Sequence, residues 1–238
     1  MRKPLIAVFV GALVLSSVGV ATASDQFKQT YTSKFSAKKP STSTGINSVL
    51  TGSDPGAPNA KPDPATKVVI AFNAGTKFNN KAVPQCNLNK AQVEADPEGA
   101  CPANTKVGTG SASANAAPVL QEAVGERVTA FNKSGGIWFA LSPSGSVGQK
   151  LALEGKLSGS KLTTTVPVLP IIPGAPATPD NTVSLTEFIL NIPKKGSGSK
   201  AFITTPSKCS GGKWTNKATF TYTSQPGVTV TSTTPCTA

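Results

Sequence analysis

The sequence predicts an all-β protein, and three features of the chain lead to this prediction. β-Branched and aromatic residues recur in short alternating runs, which is the pattern of half-buried strands. Gly, Pro, Ser and Asn separate these runs at the spacing expected of a sandwich or a barrel. Four cysteines in a chain with an export signal predict two disulfides, a common means of stabilising exported domains.

Residues 1–23 have the pattern of a secretory signal peptide. Arg2 and Lys3 precede an apolar run at 5–15, and an Ala-x-Ala cleavage box ends at Ala23. The apolar run is too short to anchor the chain in a membrane, which takes roughly 20 residues. No cysteine lies directly after the cleavage box, so we expect no lipid anchor. We therefore expect a secreted, extracellular protein, free or associated with the cell envelope, with no integral membrane segment after cleavage.

The remaining residues, 24–238, fit a single immunoglobulin-like or jelly-roll-like β-sandwich of roughly ten strands. Single all-β domains often reach this length. The segments around Cys86 and Cys209 also resemble each other, because both read as strand, Gly turn, second strand, Pro and Cys. A diverged internal duplication therefore stays an alternative. The clearest strand patterns lie at 30–35, 67–72, 137–141, 151–157, 161–166, 183–192, 218–223 and 228–232.

The four cysteines allow three disulfide pairings. We favour Cys86–Cys101 and Cys209–Cys236, because each pair brackets a short segment flanked by Pro and Gly. A metal site or a redox pair would need a Cys-x-x-Cys motif, and the sequence has none. The cysteines are therefore expected to be structural.

Two segments depart from the strand pattern. Residues 88–95 contain good helix formers and place Leu88, Ala91 and Ala95 on one face, which predicts a short helix within the first disulfide loop. Between residues 167 and 179 a proline recurs at every third position, the period of polyproline II. This segment could be a ligand for a proline-binding partner. We favour an extended connection that crosses the edge of the sandwich.

The chain is strongly basic. It holds 23 lysines and arginines against 11 acids, and loss of Arg2 and Lys3 with the signal lowers the net charge from +12 to +10. Such a surplus favours an anionic cell-wall polymer or polysaccharide as partner, although scattered lysines also simply keep a protein soluble. The lysines gather in two groups near opposite ends of the sequence. No basic stripe interleaved with aromatic residues appears, so we expect no nucleic-acid partner.

The sequence offers little for catalysis. It contains no histidine, which removes the commonest general base and the usual partner of a Ser or Cys nucleophile. Segments at 36–39, 113–115 and 133–135 follow the order of the penicillin-binding motifs. However, Pro40 excludes the helix on which that serine must lie. We expect no enzymatic activity and no cofactor.

Two groups of side chains are candidates for binding. Glu94, Asp96 and Glu98 alternate on a loop before Cys101 and could supply oxygen ligands to Ca²⁺, although a solvated acidic loop has the same pattern. Trp214 follows two glycines beside a cysteine, with Tyr222 further along the chain. These rings could stack on a sugar, or Trp214 could pack over the disulfide.

Several short motifs lie along the chain from Lys67 onward, at 67–79, 84–86, 101–102, 106–110, 206–209, 212–214 and 234–236. Together these motifs resemble a recurring pattern in uncharacterised exported β-rich proteins of high-GC Gram-positive (actinobacterial) bacteria. The resemblance covers most of the chain from Lys67 onward and implies export and a β-rich fold. It implies no activity and no catalytic residue.

The sequence thus predicts an exported, non-enzymatic structural or interaction module of the cell envelope. The alternative is a carbohydrate-binding module that uses an exposed tryptophan platform.

Overall fold

The structure is a computed structural model that describes residues 20–22, 26–120, 123–172 and 174–237. The predicted signal peptide lies outside the described residues apart from 20–22, which form the first strand. The described residues form fourteen strands and one α-helix. In chain order these are β1 (Val20–Thr22), β2 (Lys28–Phe35), β3 (Ile46–Ser53), β4 (Ala65–Ala71), β5 (Lys77–Phe78), α1 (Lys90–Ala95), β6 (Lys106–Asn115), β7 (Val124–Lys133), β8 (Gly136–Pro143), β9 (Leu151–Ser158), β10 (Lys161–Thr165), β11 (Ser184–Ile192), β12 (Ile203–Thr204), β13 (Lys213–Tyr222) and β14 (Val228–Pro235).

Twelve of these strands form one antiparallel sheet in the order β1-β2-β3-β11-β6-β7-β8-β9-β10-β4-β13-β14. The short strands β5 and β12 pair separately. Neighbours in sequence form hairpins from β6 to β10. Two-residue turns, Ser134-Gly135 and Gly159-Ser160, join β7 to β8 and β9 to β10, and longer loops join the other two pairs. The all-β prediction is therefore confirmed.

The large sheet curls until its two edges meet, so the fold is a nearly closed barrel. Strand β14 packs against β2, where the Ser33 amide donates a hydrogen bond to Ser232 Oγ at 2.8 Å. Thr234 Oγ1 donates to the Ser33 carbonyl oxygen at 3.0 Å. The predicted sandwich is wrong in this respect. Sandwich and barrel strands show the same inward and outward alternation, so the pattern could not separate the two.

The antiparallel strands divide the connections between two ends of the barrel. At the end that we call the closed end lie residues 36–45, 72–86, 102–105 and 193–212, together with the two tight turns between β7 and β10. Residues 87–101, which include α1, lie along the outer face of β7 to β9 instead. At the opposite end, the open end, lie the described residues of five connections, 54–64, 116–120 with 123, 144–150, 166–172 with 174–183, and 223–227.

Both predicted disulfides, Cys86–Cys101 and Cys209–Cys236, are confirmed. The first encloses helix α1, as expected, and Asn89 and Gln92 form a capping box at its start. The helix covers the outer face of β8 and β9, where Val93 packs in a cluster with Trp138 and Ala152. This cover explains why β8 is buried on both of its faces.

The proline-rich connection does not cross a sheet edge in extended form. It folds back on itself at the open end, where Pro170 pairs with Thr182 in an isolated bridge. The Val183 amide donates to the Leu169 carbonyl oxygen at 3.0 Å. The predicted extended crossing is therefore wrong. Apolar residues that lie between the prolines face the barrel interior and line its cavity instead.

Candidate functional site: an apolar cavity in the barrel

The barrel interior contains a cavity of about 350 Å³. This volume lies at the lower end of the ~300–1,000 Å³ that is usual for small-molecule sites. The cavity runs from Phe72 and Phe78, near the closed end, to Leu120 and Val147 in the loops of the open end. It is thus a space along the barrel rather than a surface groove.

Small side chains on β6 leave room for this cavity. Ala112 and Ala114 point inward from the middle of the strand and line the cavity. Neighbouring strands supply larger apolar side chains, so the side chains of β6 occupy the least interior volume. A barrel of this many strands is also wider than the eight-stranded barrels that side chains can fill. The apolar lining includes Leu50, Ile70, Leu141, Leu153, Phe188 and Phe220.

The open end adds an unusual polar group, Glu126, to this apolar lining. Its Oε1 accepts a hydrogen bond from the Gln149 amide at 3.2 Å. Its Oε2 is buried and accepts no hydrogen bond from the described residues. Burial raises the pKa of Glu126 above its usual value, although the Gln149 amide and the charge of Arg127 oppose this. A buried carboxylate oxygen without a donor is costly and marks a position where a ligand donor would be stabilised.

A second carboxylate of the lining, Asp63, already has its partners. It accepts hydrogen bonds from the Ser224 amide at 2.8 Å, the Gln225 amide at 3.0 Å and the Thr223 hydroxyl. Burial by itself would raise the pKa of Asp63. The hydrogen bonds together have the larger effect, so the pKa lies below its usual value. Asp63 therefore fixes the β13–β14 loop to the connection before β4.

Aromatic rings fill the closed end of the barrel. Phe72 packs against Phe78 with ring centroids 5.1 Å apart, and Phe35 lies 6.5 Å from Phe72. Trp214 meets Phe35 edge to face at 5.5 Å, and its Nε1 donates to the Lys208 carbonyl oxygen at 2.8 Å. These rings close the bottom of the barrel and are part of its largest hydrophobic cluster.

The predicted sugar-stacking platform is wrong for Trp214, because only 1% of this residue is exposed. A stacking ring needs an exposed face, and the packing around Trp214 leaves none. Tyr222 is also buried, at 7% exposed, but it does line the cavity. Its hydroxyl donates to Gln29 Oε1 at 2.8 Å, and its ring meets Phe27 edge to face at 5.2 Å. Tyr222 is thus part of an interior wall.

The predicted acidic metal site is not formed, because each carboxylate turns to a different partner. Glu94 pairs with Lys90 within α1 and accepts from the Ala152 amide, whereas Asp96 accepts from the Gly99 amide at 3.1 Å. Glu98 accepts from Ser142 Oγ at 2.6 Å and pairs with Arg127 at 2.7 Å. Across the described ranges, no group of three or more acidic or cysteine side chains is placed to hold a metal ion.

The open end also carries the exposed large apolar side chains of the described residues. These are Val119, Val147 and Ile172, which are 44%, 47% and 51% exposed. They lie in three different loops that border the cavity entrance, where Leu120, Val147 and Ile171 contribute to the lining. The open end is therefore apolar both inside and at its rim.

Comparison with known proteins found no match: no family profile, no curated protein and no solved structure is similar to this chain. None of the helices in the described ranges has the length and hydropathy needed to span a bilayer. The fold and the cavity together define the chain as a disulfide-linked all-β barrel with an apolar interior site.

Proposed function

We propose that this chain is an exported, non-enzymatic binding protein of the cell envelope, and that its barrel holds an apolar small molecule. The observation that carries the proposal is the cavity of about 350 Å³, which apolar side chains from strands all around the barrel line. Protein interiors are normally packed without such voids, so a large apolar space that reaches one end is typical of a ligand site. Barrels whose interior side chains leave such a space commonly bind one hydrophobic ligand.

The ligand has two chemical parts under this proposal. A hydrocarbon chain or ring system occupies the body of the cavity, because the wall there offers Ile, Leu, Val and Phe side chains. A hydroxyl or amino group lies at the open end, where Glu126 Oε2 lacks a hydrogen-bond donor. A protonated Glu126 could instead donate to a ligand oxygen, since burial raises the pKa of its carboxyl.

Binding without turnover is favoured by the groups that line the cavity. The chain has no histidine, and the lining carboxylate Asp63 is engaged in fixing a loop. Two disulfides fit the oxidising compartment that an export signal predicts. These points support the proposal of an exported binding protein.

A displacement assay tests the proposal. The exported protein is titrated with an environment-sensitive naphthylamine dye, and straight-chain alcohols, amines and fatty acids of increasing length then compete for it. We expect the dye to gain fluorescence on binding and the longer chains to displace it. Neutral and cationic head groups should compete better than carboxylates at neutral pH, because of Glu126.

Ala112→Leu and Ser111→Leu form a matched pair of variants. Ala112 faces the cavity, whereas the neighbouring Ser111 is exposed on the outer face of the same strand. Ala112→Leu should weaken dye binding at least tenfold without loss of stability, because it fills a void. Ser111→Leu should leave binding unchanged. If dye binding is equal in both variants, or if Ala112→Leu destabilises by the ~1–3 kcal/mol of an overpacked core, the cavity is not the binding site.

A further inference from the structure

The closed end of the barrel brings together lysines that are far apart in the sequence. The connection at 36–45 lies against the connection at 193–213, because the Thr205 amide donates to the Thr42 carbonyl oxygen at 3.0 Å. The Thr205 hydroxyl donates to the Lys39 carbonyl oxygen at 2.8 Å. Pairing of β5 with β12 adds residues 73–82 to the same surface.

These three segments are basic and contain no acid. Segment 36–45 carries two lysines, 73–82 carries two and 193–213 carries five, and none of the three contains Asp or Glu. We call these nine lysines the basic cap. All but the half-buried Lys195 are exposed. The ion pairs of the described residues use other basic side chains, so no cap lysine is neutralised within the described ranges.

The open end has the opposite character. Among the described residues, its five connections hold three acids, Asp54, Asp63 and Asp180, against only Lys61 and Lys150. The chain therefore separates its charge along the barrel axis, and the positive excess belongs to one surface. Scattered lysines that serve solubility would not be expected to divide in this way.

We propose that the basic cap binds a linear polyanion, a polymer with repeating phosphate or carboxylate groups. Lysines on different loops act as separate point charges, which suits a flexible polymer without a fixed geometry. The exposed large apolar residues of the described chain all lie at the other end, so the cap offers nothing to insert into a bilayer. A polymer is therefore favoured over a lipid surface. The inference is independent of the cavity and of its ligand.

Binding to two soluble polymers and to vesicles tests the inference. The exported protein is titrated with polyphosphate, with polygalacturonate, and with vesicles of phosphatidylglycerol and phosphatidylcholine, across a salt series. We expect binding to one polymer or both at low salt, which weakens steeply as salt rises, because each bound anion releases counterions. The arm that binds more tightly identifies phosphate or carboxylate as the preferred group.

Two triple variants with the same loss of charge locate the site. The cap variant carries Lys38→Gln, Lys194→Gln and Lys208→Gln, and the control carries Lys28→Gln, Lys67→Gln and Lys217→Gln on strands of the wall. All six side chains are exposed, and melting temperatures check that both variants are folded. We expect the cap variant to bind about tenfold more weakly at low salt with a shallower salt dependence, and the control to change much less.

Three results would overturn the inference. They are absence of polymer binding by the unchanged protein, equal weakening in both triple variants, and cap-dependent binding to vesicles without binding to either polymer. The last result would identify a lipid surface instead.

Discussion

At the closed end of the barrel, aromatic rings pack against one another and both disulfides tie the connecting segments, whereas at the open end four of the five loops line a cavity that side chains leave unfilled. The closed end is basic on its outside, and the open end is apolar at its rim. The comparison teaches that the tightest packing and the unfilled space, which we propose holds a ligand, lie at different ends of one sheet. A change at the closed end should therefore affect unfolding, and a change at the open end should affect what enters the cavity.

The largest effect is expected from Trp214→Ala at the closed end. Trp214 is fully packed and its indole nitrogen is hydrogen-bonded, so its loss leaves a cavity and an unsatisfied carbonyl oxygen. We expect the free energy of unfolding to fall by about 3–5 kcal/mol, as measured by urea denaturation. The control is Ile172→Ala at the open end, where half of the side chain is exposed and the change should stay within about 0.5 kcal/mol. Similar losses in the two variants would contradict the division between the ends.

Removal of the second disulfide should have the next largest effect. The double variant Cys209→Ser with Cys236→Ser opens a loop with a sequence separation of 27 residues. The chain-entropy relation predicts a loss of about 3.5 kcal/mol for this loop. For Cys86–Cys101, with a separation of 15, it predicts about 3 kcal/mol. Melting temperatures in oxidised and reduced samples check both values.

The cavity should remain able to bind the dye in folded Cys209→Ser/Cys236→Ser protein, because the entrance lies at the other end. Loss of dye binding at a temperature where this double variant is still folded would show that the two ends are coupled.

The smallest effect is expected from Glu126→Gln at the open end. It is recognised by the direction in which the stability difference changes with pH. Burial raises the pKa of Glu126 in the folded state, so the folded protein holds this proton more tightly than the unfolded chain. Stability from this group is present in acid and is lost as pH rises through its folded pKa. Glu126→Gln should therefore be more stable than the unchanged protein at neutral pH, and the difference should vanish in acid.

Asp63→Asn is the matched control, because the pKa of Asp63 is lowered in the folded protein whereas that of Glu126 is raised. Hydrogen bonds hold the pKa of Asp63 below its usual value, so its contribution is present at neutral pH and lost as pH falls through its folded pKa. Asp63→Asn should thus be less stable at neutral pH, with a difference that shrinks in acid. Urea unfolding of both variants between about pH 2 and pH 8 covers both groups, whose ordinary values are near 4.3 for a glutamate and 3.9 for an aspartate. The same sign for both variants would show that Glu126 is not buried as described.

Most strands with strong alternation were predictable from the sequence, and the strand made of small residues was not. The pattern located β2, β4, β8 to β11, β13 and β14, because β-branched and aromatic residues mark them. Of the long strands it missed β3, β6 and β7, and β6 has the weakest signal of these because its Gly, Ala and Ser residues have low strand propensity. The same small residues leave space for the cavity. The weakest local signal thus belongs to the strand that matters most for the candidate site.

The candidate site residues show the same limit. Tyr222 was selected from the sequence and does line the cavity, but as part of a buried wall rather than as a surface platform. Glu126 was not selected, because a single glutamate at the start of a strand carries no motif. Its significance depends on the loop that places Gln149 beside it and on the apolar wall around it.

The sequence by itself determined the all-β class and the short helix between Cys86 and Cys101, because these depend on local patterns. It favoured the observed pairing among the three that four cysteines allow, because each observed pair is close in the sequence. Only the tertiary structure decided that the sheet closes into a barrel, that the barrel retains a cavity and that two distant groups of lysines form one surface. Closure depends on twist and side-chain contacts between β2 and β14, which are about 200 residues apart in the chain. A void is a property of packed volume in three dimensions, and alternation along a strand carries no information about it.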